Sequence, residues 1–588
     1  MTTTTPEAAA AAVPSAGVPR RRRRPGTATD WLTIAIVTLV VALLSVMILY
    51  PLASIFSQAF SERGWSIVVS TVTSPVNRQV VINTFVLGIL VGAIGTVLGF
   101  VAAYIQVMVD FRWKKAFHLV CLLPIVSPPF AVATAIITLL GRRGIITHGV
   151  FGLQTSIYGL HGLVLVMVLS FFPVAYMNFN GMLENLDPAL EDASSDLGAS
   201  KWQTFWKVTL PMMIPGFAAS FLLLFVEAIA DLANPLVIGG DFTVLASRAF
   251  IAITGEYDVA AGSAYSLVLL VPALLVFLIQ QYWVSRSSAV SVTGKPAGGR
   301  RLITTAAGRV PLLVAAVALA VVVIGIYATV ILGAFTRILG VNNEMTLDNF
   351  RYVLSGIGNK AIVDTTMLAM LATPVAGFLG MLIAWLVVRK VKRGSAWLDF
   401  LGMLGLAVPG TVVGIGYAIA FNTPLRFELA GTTFQLLPAL GGGAAMLGGA
   451  MAIVMVYVIR SIPTGQRSGI AALQQIDPSI DEASASLGAD SVTTFRKITM
   501  PLIRPAFLTG LIYAFARSMT TLSPIIFITT PQTRIMTQQI LAEVDAGRFG
   551  NAFAFCTLLL LIVLAVMGLM SLIVRGRGDV RAPVGGGV

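Results

Sequence analysis

The sequence predicts an all-α membrane protein: about twelve transmembrane helices arranged as two parallel six-helix repeats, related by a pseudo-twofold axis along the membrane normal. Three observations predict it, namely the composition, the placement of basic residues around long apolar blocks, and an internal repeat. Of 588 residues, 57% are hydrophobic and only 11% are charged, where a soluble chain carries roughly 25% charged residues. Too little polar surface is available to cover such a chain in water, so its solvent is the lipid bilayer. The formal net charge of +13 would suit nucleic acid, but the basic residues flank apolar blocks and do not line a periodic face, so no nucleic-acid partner is implied. Cys121 and Cys556 fall inside apolar segments, and His118, His148 and His161 are scattered. That excludes a disulfide framework and gives no spacing for a metal cluster.

Apolar blocks near ~20 residues long fall at about 31–58, 80–109, 117–140, 158–180, 210–238, 262–285, 310–335, 361–388, 398–421, 437–459, 503–530 and 552–574. The first is too long for the apolar core of a cleaved signal peptide and is taken as a retained span. With the N-terminus inside, cytoplasmic segments hold 27 of the 39 Lys and Arg residues, Arg389 and Arg460 among them, and outer loops hold 11. The one remaining, Arg517, sits deep within a block. The positive-inside rule then puts both termini in the cytoplasm. The chain divides into a basic tail (1–30, with Arg20 to Arg24), a first half (31–295), a linker (296–309), a second half (310–576) and a C-terminal tail (577–588). The N-terminal tail has the composition of a disordered segment.

The repeat relates LDPALEDASSDLGASKWQTFWKVTLPMMIP, from Leu186 to Pro215, to IDPSIDEASASLGADSVTTFRKITMPLIRP, from Ile476 to Pro505. At a constant offset of 290 the two share Asp187/Asp477, Ala193/Ala483, Gly198/Gly488 and Pro211/Pro501, with nine further identities. Upstream, Asn83-Thr84 corresponds to Asp364-Thr365 at an offset of 281, so the second half carries nine extra residues, assigned to the Gly-rich region around 425–445. Six spans separate the two segments. An even number places both on the same side, which makes the repeats parallel.

Within each segment Asp187 or Asp477 can cap a helix that begins at a proline. Leu190, Ala193 and Leu197, matched by Ile480, Ala483 and Leu487, fall on one helical face, with Glu191, Asp192, Asp481 and Glu482 elsewhere. Gly198 and Gly488 suit a left-handed turn at the helix end. A second short helix, led by Ser200 or Asp490, is expected to reach the proline that opens the next span. The result is a small helix pair whose small side chains let another protein approach closely.

These segments resemble the cytoplasmic signature of the permeases of binding-protein-dependent ABC importers: EAA, three variable residues, Gly, then a hydrophobic-x-Leu-Pro ending. Here it reads Asp192-Ala193-Ser194 to Gly198 and Val208 to Pro211, then Glu482-Ala483-Ser484 to Gly488 and Ile498 to Pro501. Asp192 stands where the family usually has Glu, and Met500 where it usually has Leu. The resemblance covers nearly the whole chain after residue 30 and implies a bacterial inner membrane. It also implies that each segment docks on one of two copies of an ATP-binding subunit at the cytoplasmic face, and that a separate periplasmic or extracellular protein captures the solute. The chain has no GxxxxGK[ST] phosphate loop, so ATP and magnesium belong to the partner and no cofactor to this chain. No convergent nucleophile and base is visible, so the chain is a transport subunit and not an enzyme.

Glu227 and Asp231 fall within the fifth block, and Arg517 occupies the position equivalent to Glu227 in the second half. Opposite charges at pseudo-equivalent positions can meet near the axis, as a gate lining the path or as a static fastener between halves. The stretch Ala230 to Gly240 and its partner Phe515 to Phe527 look like the ferric-iron subgroup. Aminoethylphosphonate, thiamine and sugar-phosphate permeases are also similar. A proton-coupled secondary transporter is the rival from another class; it would need a titratable relay in the spans and would not need the duplicated loop.

Overall fold

A computed structural model describes residues 31–281 and 302–575, apart from positions 392, 430, 431, 444, 478 and 490. Both terminal tails and residues 296–301 of the expected linker lie outside the described residues. The first half contains α1 (Thr33–Ala59), α2 (Pro75–Met108), α3 (Lys114–Val126), α4 (Pro129–Leu140), α5 (Leu160–Glu184), α6 (Pro188–Asp196), α7 (Lys201–Ala230), α8 (Leu245–Thr254) and α9 (Val259–Ile279). The second contains α10 (Ala306–Ala334), α11 (Gly356–Lys390), α12 (Ser395–Ala407), α13 (Gly410–Phe421), α14 (Leu447–Gln474), α15 (Ser479–Ser486), α16 (Phe495–Thr520), α17 (Met536–Asp545) and α18 (Phe549–Arg575). Among the described residues, eleven helical stretches, α4 counted on through Val150, are long and apolar enough to cross a bilayer, or twelve when the bent pair α12–α13 counts as one span.

The pseudo-symmetry predicted from the repeat is visible in single hydrogen bonds. Thr84 Oγ1 accepts the N–H of Leu245 at 2.8 Å, and Thr365 Oγ1 accepts the N–H of Met536 at 2.8 Å. Each buried hydroxyl also donates to its own helix, to Val80 O and Ala361 O. The start of α8 is thus fastened to α2 as the start of α17 is to α11, and the Asn83-Thr84 and Asp364-Thr365 correspondence has a structural cause. The extra residues of the second half coincide with an antiparallel hairpin of Leu425–Leu429 and Thr432–Leu437.

Three expectations change. The blocks 117–140 and 398–421 are each broken, at Ser127-Pro128 and at Val408-Pro409, and α12 and α13 meet at 98°. A proline has no N–H to give the helix and drives the preceding residue into extended backbone; Ser127 and Val408 sit at ψ 153° and 128°. The blocks 210–238 and 503–530 end as helices at Ala230 and Thr520. Conversely, Pro211 and Pro501 do not open these helices but lie inside them. The preceding turn widens, so that Leu210 N–H bonds Phe205 O and Met500 N–H bonds Phe495 O, five residues back, and the wide turn accommodates the ring.

The first helix of each half packs against the broken span of the other. Tyr417 Oη on α13 donates to Met47 O on α1 at 2.7 Å, and Tyr327 on α10 shares a hydrogen bond with Ser127 at the α3–α4 break. Each half therefore completes the other's core, and the two breaks face inward toward the interface.

Candidate functional site

The two loop segments fold nearly alike. Asp187 accepts the N–H of Ala189 and Asp477 that of Ser479, both at 2.9 Å, as predicted for caps. The Ser479 N–H holds the Asp477 carboxyl below the usual carboxylate range. Gly198 and Gly488 take φ +83° and +84°, the left-handed conformation the reading required. Ser194 and Ser484, inside the signature, each share a hydrogen bond with the next short helix, to Thr204 and Thr494, at 2.9 and 2.8 Å. Ser200 forms a capping box with Gln203; Asp490 and the Glu482 side chain lie outside what is described.

The orientation of each helix was not legible in the sequence. Ala193 and Ala483 are exposed, Leu190 and Ile480 are each 37% exposed, and Leu197 and Leu487 each 89%. Glu191, Asp192 and Asp481 are half-buried, as is Ser194, and Ser484 is buried; these residues face the bundle. Glu191 accepts from Thr209 Oγ1 at 3.1 Å, and Asp192 lines a recess with Tyr104 and Ile303. The apolar face therefore points away from the protein, the reverse of a surface helix that stabilises its own fold.

Both loops lie at one end of the molecule. Ile303, whose N–H bonds Met108 O at 2.9 Å, sits beside the first loop. From there α10 crosses away and α11 returns, and Arg389 at its end holds the second loop. Arg389 Nη2 donates to Leu473 O at 3.1 Å and Ile476 O at 2.6 Å, closing the end of α14, and its Nε lies 3.3 Å from Asp481 Oδ2. Met108 occupies the equivalent place in the first half, so the two loops are anchored by different chemistry.

A cavity of about 270 Å³ lies between the halves. It gathers Glu227, Asp231 and Arg517, together with Tyr513 and an arginine that sequence reasoning had placed in a cytoplasmic segment, Arg460. The apolar block ends at residue 459, but α14 continues to Gln474, which carries Arg460 within the helix. Arg517 Nη2 stands 3.8 Å from Glu227 Oε1, and the two side chains are 32% and 35% exposed. Asp231 differs: it is 8% exposed, and its Oδ2 accepts both the N–H and the Nδ2 of Asn234, at 3.1 and 2.8 Å, starting the short helix Ala233–Ile238. Pro124, Ser127 and Gly410 bring the broken spans to the same wall.

Residues 95–289 and 376–578, one stretch in each half, match the family described as binding-protein-dependent transport system inner membrane component. The chain is 33% identical, over 92% of its length and 78% of the relative's, to the ferric transport system permease protein FbpB of Actinobacillus pleuropneumoniae. It is 34% identical, over 86% of its length and 79% of the relative's, to a putative ferric transport system permease protein of Haemophilus influenzae. A probable sulfate transport system permease of Helicosporidium matches 41% of the chain at 26% identity. With two matched stretches, two mirrored loops and a cavity between the halves, the chain belongs to the inner-membrane permease family of binding-protein-dependent transport systems, as a fused two-half form.

Proposed function

We propose that this chain is the permease of an ATP-driven importer of ferric iron, with both termini and both loops in the cytoplasm. Each loop docks on one copy of a separate ATP-hydrolysing subunit, which binds ATP and magnesium, while a solute-binding protein delivers cargo at the opposite face. The observation that carries this reading is the outward-turned apolar face of α6 and α15, repeated at the same end of the molecule. An exposed leucine on an otherwise polar helix stabilises nothing within this chain, but it can fill a pocket on a partner. Closure of two such partners would move the loops, and with them the halves, between two states of the central cavity. The ferric assignment follows the names of the relatives.

Within the cavity, Glu227 and Arg517 act as a path-lining gate. A pair that fastens two halves is expected at hydrogen-bond distance, about 2.7–2.9 Å, as Arg548 and Glu543 are at 2.7 Å in this protein. At 3.8 Å, with a third of each side chain open to the cavity, the Glu227 and Arg517 charges are free to separate. Asp231 lines the same wall with one oxygen committed to Asn234. The test is reconstitution of the chain with an ATP-binding subunit and a binding protein in proteoliposomes. Uptake of ferric iron that requires ATP, lost in Glu227→Gln and Arg517→Met with assembly intact, supports the proposal. ATP-driven uptake of aminoethylphosphonate, thiamine or a sugar phosphate in place of iron refutes the cargo, and ATP-independent uptake refutes the mechanism.

A further inference from the structure

Pro409 cannot donate a hydrogen bond, so the carbonyl of Gly405, four residues earlier, has lost the partner that a continuous helix would supply. Val408, extended at the break, turns its own carbonyl out of the helix as well. Arg460 serves both: its Nη1 donates to Gly405 O at 3.0 Å and to Val408 O at 3.1 Å. Its Nε is buried without a partner, so these two carbonyl bonds are what fix the guanidinium. The first half has a break at the equivalent place but no such tie. Pro128 orphans the carbonyl of Pro124, which Ser127 Oγ approaches at 3.4 Å. Ser170, at the position equivalent to Arg460, bonds Val166 O of its own helix at 2.8 Å.

The tie lies between two moving parts. On one side, α14 runs from Arg460 to Gln474, about 21 Å at 1.5 Å per residue, and leads directly into the second loop. On the other, α13 begins at Gly410 on the cavity wall, packed so closely on Ser523 and Pro524 that a Cβ at 410 would lie 3.1 Å from each. We propose that Arg460 is a positioning residue that makes the α12–α13 break follow α14, so that displacement of the second loop reaches the cavity wall. Among the described residues, the first half has no bond from α5 to its break; its α3 and α5 are joined instead by the hydrogen bond between His118 and Tyr176, away from the break. The inference rests on the reading of the loops as docking sites for the ATP-hydrolysing subunit.

The test uses the full chain assembled with that subunit and the binding protein in proteoliposomes, measuring solute moved per ATP hydrolysed. In Arg460→Met the ratio is expected to fall by at least about fivefold, the lower end of ordinary site-to-site coupling, with hydrolysis retained. Arg460→Lys, which can still reach a carbonyl, recovers part of the ratio, and Ser170→Ala leaves it unchanged. An unchanged ratio in Arg460→Met overturns the proposal. Because that variant leaves two buried carbonyls unpaired and is at risk of misfolding, a second measurement keeps Arg460 in place. Spin labels on Leu406→Cys and Met455→Cys, with Cys121 and Cys556 replaced, report the separation of the break from α14 with and without ATP. A separation constant to within about 2 Å, the scale of ordinary helix shifts, supports the tie; a larger change overturns it. Absence of ATP hydrolysis coupled to the unaltered chain would count against the docking reading itself, a different failure from either of these.

Discussion

Replacing Leu197 by Ser tests what the outward-turned loop helix does. Leu197 is 89% exposed in this chain and caps no internal contact, so the change is expected to alter the protein's own stability by no more than about 0.5 kcal/mol, as for an ordinary surface site. If the side chain is instead buried in a partner pocket, its loss removes about 1.5–3 kcal/mol of burial free energy, which is roughly a 10- to 150-fold weakening of that contact. Leu487 has the same exposure and the same expected loss, so the two single variants should weaken binding alike and the double variant more than either. Affinity for the ATP-hydrolysing subunit, measured on nanodisc-embedded chain with thermal unfolding as the control, reads both quantities. A double variant that binds within about twofold of the unaltered chain would refute the reasoning, since even 1.5 kcal/mol corresponds to about tenfold. So would a large loss of stability in the chain alone.

Other outcomes follow from the same geometry. Arg389→Met leaves Leu473 O and Ile476 O without their donor and Asp481 without its cation, a loss of about 1–3 kcal/mol; hydrogen exchange should quicken across Ser479–Ser486 and stay unchanged across Pro188–Asp196. Thr84→Val and Thr365→Val each remove a buried acceptor from a helix start, at about 1–2 kcal/mol, and clearly unequal drops in thermal stability would contradict the pseudo-symmetry. Gly198→Ala and Gly488→Ala meet no atom within 4 Å, so their effect is the left-handed backbone penalty alone, about 1–2 kcal/mol, visible as local fraying of α6 or α15 without loss of the bundle.

The sequence carried the loops well because their determinants are local. A cap at Asp187, a proline after it and a glycine at 198 act within one turn each, and they reappear 290 residues later in the same order. The approach of Glu227 to Arg517 was legible too, since opposite charges at pseudo-equivalent positions within apolar blocks offset each other's cost when they meet near the axis. What hydropathy could not see was the course of the backbone inside an apolar block. Val408, Pro409 and Gly410 are as apolar as their neighbours, so the block reads as one span although the proline bends it. Arg460 was misplaced for the same reason in reverse. A charge at the edge of an apolar block looks like the end of the span, whereas here the helix continues and the guanidinium is held by carbonyls that a different helix has released. The direction of the loop helices was hidden because amphipathic spacing fixes which residues share a face and not whether that face turns inward.

Docking of the ATP-hydrolysing subunit requires both loops to lie at the cytoplasmic end with Ala193 and Ala483 turned outward. Single cysteines at these two positions, in a chain with Cys121 and Cys556 replaced, can be challenged with a membrane-impermeant thiol reagent in inside-out vesicles and in right-side-out spheroplasts. Rapid modification of both is expected in inside-out vesicles only, with protection of both once the ATP-hydrolysing subunit is added. Modification of the two from opposite faces, or no protection of either, would contradict that docking.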